Sequence, residues 1–395
     1  MDYYWIVWPI LGVTTLTARL GLILYLSGAS RAKNAASAAV RALADACVAI
    51  LVFWAVGNTV AGGNWRSFGR ADFFMVTTVL ISTGAVVGAT LGRTRLCVPL
   101  IGSALLAGLI VPIALRFVSS ESHSRWLFLD LGGASTLHLT GGMCALAAAI
   151  MAGPRQSKYN QDGSANFIPG HNIPLMVVGA FAMVLGFMPQ IAGYAVGQIG
   201  PESPALFIPL PASAMRDVLL ASAAGVLVSI LMSQRATRRV DVHLVVAGFV
   251  GGAVATSAGA GFLSPGASVL IGAVAGLIVP KSMEWLDLKL HIDDPSGFVA
   301  MQGAAGIWGL VAAGVFVTNS QGRLQQLLVQ IAGIIIIGGG TFAVSWLVFW
   351  LLRAAKLMRP AEADEFDGAD LAEHDLNAYP DFQQTTIKSY HLRET

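Results

Sequence analysis

The stretch Asp130–Arg155, DLGGASTLHLTGGMCALAAAIMAGPR, sets the terms for the whole chain. It is small-sided and apolar, with a carboxylate near its start, His138 eight residues later and Arg155 at its far end. Read as a membrane helix, it carries the imidazole to mid-depth. An ionisable group there is costly, and its default reading is functional. The competing reading is structural: a histidine that only hydrogen-bonds a neighbouring helix.

The surrounding composition supports the membrane reading. Of 395 residues, 55% are hydrophobic and 12% charged, against roughly 25% charged in soluble domains. The 44 glycines suit helices that must pack closely because lipid removes the hydrophobic drive between them. A net charge of +2 gives no basis for nucleic-acid binding. Cys47, Cys97 and Cys144 lie in or beside apolar runs; they read as core fillers with neither a disulfide framework nor metal-ligand spacing. The start, MDYYWIVWPILG, lacks a basic n-region and leads into a long apolar run. It reads as a first transmembrane helix rather than a cleaved signal.

Apolar runs long enough to cross a bilayer, about 18 residues or more, occur near 5–29, 37–61, 73–92, 96–118, 131–153, 174–197, 214–233, 242–260, 264–284, 298–317 and 327–353. The expected fold is therefore an all-α integral membrane domain of eleven helices over 1–353, with a soluble tail over 354–395. Arg31, Lys33, Arg93, Arg95, Arg155, Lys158, Arg235, Arg238, Arg239, Lys281 and Lys289 fall on one side; Arg66, Arg70, Arg125 and Arg323 fall on the other. The positive-inside rule makes the first side cytoplasmic. The N-terminus is then outside and the tail inside.

Tyr3, Tyr4, Trp5 and Trp8 read as an interfacial aromatic belt. Arg19 and Asp45 sit at similar depth in the first two runs, with Arg41 four residues before Asp45. Unpaired charges at that depth are expensive, so Arg19 is expected to pair with Asp45 as a structural clamp. A further pattern is internal. Asp130 precedes His138 by eight residues, and Asp294 precedes Gln302 by eight, at the heads of the fifth and tenth runs. Two five-helix halves of opposite orientation plus a final helix would place these positions face to face at the midplane.

No nucleophile elbow, phosphate loop or metal-ligand spacing is present, and the paired carboxylates Asp293 and Asp294 stand at a helix entrance. An enzyme is not expected, nor a cofactor. The tail, AEADEFDGADLAEHD, is acidic. Its Gly368, Asp370, His374 and Tyr379 are spaced to dock against the basic loops, although a solvated end is the plainer reading. The loop RQSKYNQDGSANFIPG is either an ordinary connector or a partner contact.

Several stretches together resemble the ammonium transporter family, the Amt/Mep/Rh group. They are Arg31–Asn34, DLGGASTLH from Asp130, HNIP at His171–Pro174, GFLSPGASVLIGAVAGL from Gly261, DDPSGFVAMQGAAGIWG from Asp293 and GADLAEHDLNAY over Gly368–Tyr379. The resemblance implies eleven helices, a homotrimer in the plasma or inner membrane with one pore per subunit, and a PII-class signalling protein at the cytoplasmic mouth. It also implies a pore with two histidines. His138 matches the first, but Gln302 stands at the second. An amide hydrogen-bonds yet does not titrate near neutrality, so a two-imidazole proton relay is cut in half.

The resemblance further places the family's stacked gate phenylalanines at Thr78 and Gln190, its site tryptophan near Val118 with Phe117 beside it, and its site serine at Tyr194. By this alignment the outer aromatic cage is essentially missing. Asp130 is retained and is expected to hold backbone near the pore, with Asp294 as its counterpart. Three functions follow: ammonium or ammonia transport through a modified pore, with Phe117 or Tyr194 as a substitute cation contact; a sensor or partner platform with little conduction; or a channel for another small polar solute.

Overall fold

Each long apolar run of the sequence becomes one helix. The computed structural model describes residues 4–64, 66, 69–118, 128–199, 209–317 and 322–380. Among these residues, eleven helices are long and apolar enough to cross a membrane: α1 (Val7–Ala29), α2 (Ala32–Val60), α3 (Arg70–Ala89), α4 (Cys97–Val118), α5 (Ala134–Ala152), α6 (Ile173–Gly197), α7 (Pro209–Ala236), α8 (Val242–Gly259), α9 (Pro265–Leu288), α10 (Val299–Phe316) and α11 (Arg323–Ala354). Two short helices follow in the tail, α12 (Glu362–Asp367) and α13 (Ala369–His374). Among the described residues the only β pairing is an isolated bridge between Tyr159 and Ala165 in the α5–α6 loop. Tyr3, Arg125, residues 381–395 and the side chains of Tyr4 and Trp5 lie outside the described residues.

Helix ends depart from the hydropathy boundaries where glycine changes the backbone hand. Helix α5 starts at Ala134 rather than 131 because Gly133 takes φ +88°, a conformation that side-chain-bearing residues rarely adopt. It ends at Ala152, before Gly153 at φ +72°.

Helix α1 packs along α6, α3 along α5, and α8 along α10, while α7 lies against both α8 and α9. Helices α5 and α10 cross with their backbones in contact, since a Cβ on Gly142 would run into the main chain of Gly303. Such small-residue crossings supply the packing that lipid does not drive. This crossing lies one turn past His138 and beside Gln302, which brings the two side chains together.

The two helices share a plan. Helix α5 opens with a π-helical turn over Ala134–Leu139 and α10 with one over Val299–Ala304. The first holds His138, the second Gln302. Wide turns of this kind recur at functional positions.

A buried charge pair ties the first four helices together. Arg19 donates to the Asp45 carboxylate, to the Leu80 carbonyl at 3.0 Å and to the Ala42 carbonyl at 2.5 Å. Asp45 also accepts from the Ser103 hydroxyl and from Thr83 at 3.2 Å. Both members are buried, so loss of one leaves an uncompensated charge in low dielectric.

Candidate pore site

The site starts from two carboxylates that shape two helix entrances. Asp130 Oδ2 accepts from the Ser135 backbone at 3.0 Å and hydroxyl at 2.6 Å, and from the Thr136 backbone at 3.1 Å and hydroxyl at 3.3 Å. It thereby satisfies free N–H groups at the head of α5. Asp294 does the same for α10, accepting from the Gly297 backbone at 3.1 Å and the Val299 backbone at 2.7 Å.

The wide turns present His138 and Gln302 to each other. His138 Nδ1 and Gln302 Oε1 are hydrogen-bonded, and both residues are buried. An amide oxygen only accepts, so the imidazole proton sits on Nδ1 and the ring nitrogen Nε2 is a bare acceptor. Among the described residues neither His138 Nε2 nor Gln302 Nε2 has a hydrogen-bond partner. The Phe187 ring meets the imidazole edge-on, with centroids 5.3 Å apart.

Other side chains singled out in the sequence occupy different ground. Gln190 donates to the Gly132 carbonyl at 3.0 Å and so braces the turn before α5. Thr78 donates to its own helix, at Phe74 O, 2.8 Å. Phe117 packs on Phe128, centroids 6.2 Å apart, and Val118 lies buried in the same cluster with Leu139 and Leu310. Both take part in the packing between α4, α5 and α10. Tyr194 is central: its hydroxyl lies 2.9 Å from that of Thr136, two residues before His138.

Tyr194 also lines a cavity of about 400 Å³ at the end of the bundle opposite the tail, with Trp8, Phe53, Phe74, Asn58 and Asp72. Four aromatic side chains thus line this cavity, and three of them, Trp8, Phe53 and Phe74, lie outside the positions to which the resemblance points. Trp8 is not simply belt, since its ring lies 5.2 Å from that of Phe74. Sequence reasoning missed Phe74, Phe187 and Trp8 as site residues because aromatics inside an apolar helix carry no mark of which face turns inward.

A second cluster, also missed, stands between Gln302 and the tail face. Tyr25 donates to the Ser296 carbonyl at 2.6 Å, lies 3.1 Å from His243 Nε2, and meets Phe298 edge-on at 5.5 Å. Outside the membrane span, Asp293 takes a two-pronged contact from Arg155, 2.8 Å on each oxygen, while Arg93 donates to the Asp293 carbonyl at 2.6 Å. Burial pushes the Asp293 carboxyl up, but the Arg93 and Arg155 guanidiniums outweigh it and hold the group well below the usual carboxylate range. Burial pulls Arg93 down to about 10, still charged at neutral pH.

The tail lies against the loops. Asp370 accepts from the backbones of Ala36 at 3.0 Å and Ser37 at 2.7 Å, an acidic cap on the start of α2. Gly368, at φ +105°, rests on the Lys33 main chain. Glu373 pairs with Arg41 at 2.5 Å. His171 Nδ1 donates to the Ser30 carbonyl at 3.1 Å, so its Nε2 accepts from the Tyr379 hydroxyl at 2.6 Å. His374 sits on α13 with Nε2 buried and unpartnered among the described residues. The α5–α6 loop joins the same face: Glu365 accepts from the Gln156 backbone at 2.9 Å, and Lys158 and Tyr159 each reach Asp287 at 2.8 Å.

The profile of the Ammonium Transporter Family matches residues 5–379. The chain is 29% identical to ammonium transporter Amt2 of Archaeoglobus fulgidus, over 97% of this chain and 89% of the relative. It is 30% identical to ammonium transporter Amt2 of Haloferax mediterranei, over 92% and 86% respectively. A solved structure described as a sensor Amt protein superposes with a TM-score of 0.84 at 26% identity, covering 93% of this chain and 97% of that one.

Proposed function

This chain belongs to the ammonium transporter family, and from that premise we propose that it moves ammonium or ammonia across the membrane past His138. The observation that carries the reading is the locked imidazole. Gln302 fixes the Nδ1–H form, and the buried Nε2 is left as an acceptor for an N–H of the passing solute. On this reading the cavity walled by Trp8, Phe53, Phe74 and Tyr194 is the entrance. Ring faces stabilise a cation shedding water by about 1–2 kcal/mol each. The Tyr25–Phe298–His243 cluster forms the exit.

The same reading makes the protein a homotrimer in the plasma or inner membrane, N-terminus outside and tail cytoplasmic. The cations of the tail-side loops support that orientation. The Arg19–Asp45 pair serves as a clamp rather than a substrate site. Gly368, Asp370, His374 and Tyr379 couple the tail to the loops, where a PII-class protein would act. The test is purified protein in liposomes on a supported membrane, given an ammonium pulse. The wild type should give an ammonium-dependent current that His138→Ala abolishes. A wild type without current or flux would refute transport.

A further inference from the structure

Arg19 bears on the pore as well as on Asp45. A small cavity of about 10 Å³ is lined by Thr15, Arg19, Thr77, Phe187, Phe298 and Gln302 among others. That is room for about one water molecule. Three of its lining groups carry buried polar atoms without a partner among the described residues: Arg19 Nε, Thr15 Oγ1 and Gln302 Nε2. All three residues are more than nine-tenths buried. Leaving such atoms unpaired costs about 1–3 kcal/mol each.

The donor and acceptor count selects the occupant. Arg19 Nε–H and Gln302 Nε2–H only donate, so the occupant must offer two lone pairs. Thr15 Oγ1 accepts, and Thr77, whose hydroxyl proton goes to the Phe74 carbonyl at 2.8 Å, also has lone pairs to offer. Water accepts two hydrogen bonds and donates two. Ammonium has four N–H groups and no lone pair, and it would meet a guanidinium. Ammonia has one lone pair.

We propose that this cavity is a binding site for one water molecule, which joins Arg19 to Gln302. The bridge makes Arg19 a positioning residue for the pore. With Nε2 held by the water, the Gln302 amide keeps its oxygen toward His138 and thereby keeps the imidazole proton on Nδ1. The charge of the guanidinium is balanced by Asp45, so the site adds orientation without net charge. It does not depend on what the pore conducts.

The experiment uses the full chain and reads no transport. An experimental structure at a resolution that shows ordered water, in ammonium-free buffer and again in ammonium chloride, should show one peak within hydrogen-bonding reach of Arg19 Nε and Gln302 Nε2 in both. Thr15→Leu should fill the cavity and abolish that peak. Nitrogen-15 spectra of labelled histidine should then show His138 losing its single Nδ1–H signature in favour of a mixture. If Thr15→Leu fails to fold, Thr15→Val removes the acceptor at nearly constant shape and should weaken the peak and shift the signature in the same direction. No peak without ammonium, or one appearing only with it, overturns the water site. Loss of the peak with an unchanged histidine signature overturns the positioning role.

Discussion

Helices α5 and α10 are built on one plan and end in different chemistry. Each has an acid capping its first N–H groups, a wide opening turn and a polar side chain at the same place. Each entrance is also touched by a tyrosine, Tyr194 of α6 at Thr136 and Tyr25 of α1 at Ser296, just before α10. The surroundings differ. Phe187 reaches both, meeting the His138 ring and lining the cavity beside Gln302, but Gln302 shares that cavity with Arg19 and Thr15, and His138 does not line it. The lesson is that the repeated backbone supplies position, and the unrepeated neighbours decide what each position does.

The strongest way to break that comparison is to exchange the two side chains. His138→Gln with Gln302→His keeps the composition and, if the positions were equivalent, would keep transport. It should instead fall to the background of empty liposomes. The exchanged imidazole meets the Arg19 guanidinium, and the amide at 138 offers no ring nitrogen to the solute. The measurement is the ammonium-pulse current of folded, assembled protein. Wild-type current in the exchanged protein would show that the neighbours do not matter.

A second contrast lies at the entrances. Asp294 stands next to Asp293, which is gripped by Arg155 and Arg93, while the hydrogen-bond partners of Asp130 are neutral. Asp293→Asn leaves two guanidiniums facing a neutral amide in a buried place and should cost about 3–5 kcal/mol of stability, read from unfolding in detergent. The pH dependence follows from the sign of the shift. The folded carboxyl is held below its ordinary value. Its contribution is therefore fully present above the unfolded value of about 3.9 and lost only as pH falls through the folded one. Stability from this group should be flat from pH 5 to 8 and decline in acid. A wild type that lost it near pH 6 would contradict the assignment.

These contrasts also show where the sequence is legible. Eleven spans can be read from hydropathy because a bilayer demands helices of fixed apolar length. Asp130, His138, Asp294 and Gln302 stand out because polar residues in such runs are costly. Arg19 and Asp45 mark themselves as charges at one depth, and an ion pair joins them. Ser103 and Thr83, which complete that pair, carry no such mark, since hydroxyls are common in membrane helices and their partners are set by tertiary packing. The aromatic cavity is illegible for a related reason. The resemblance puts the family's aromatic positions at Thr78, Gln190 and Val118, and motif spacing of that kind cannot show Trp8 and Phe74 reaching the cavity from α1 and α3.

The finest test of the shared plan is the pair of tyrosines. Removing the Tyr25 hydroxyl deletes a 2.6 Å bond to the Ser296 carbonyl, but His243 Nε2 still lies 3.3 Å from that oxygen. Removing the Tyr194 hydroxyl deletes its contact with Thr136, whose own hydroxyl still reaches Asp130 at 3.3 Å. In both places a second partner limits the penalty. Tyr25→Phe and Tyr194→Phe should therefore cost alike, about 0.5–1.5 kcal/mol each, in unfolding measured side by side. Near-equal losses support one construction used twice. A Tyr194→Phe loss well beyond that range, with Tyr25→Phe nearly neutral, would mean that the α5 turn depends on its tyrosine in a way the α10 turn does not, because the ion pairs at Asp293 already hold α10 in place.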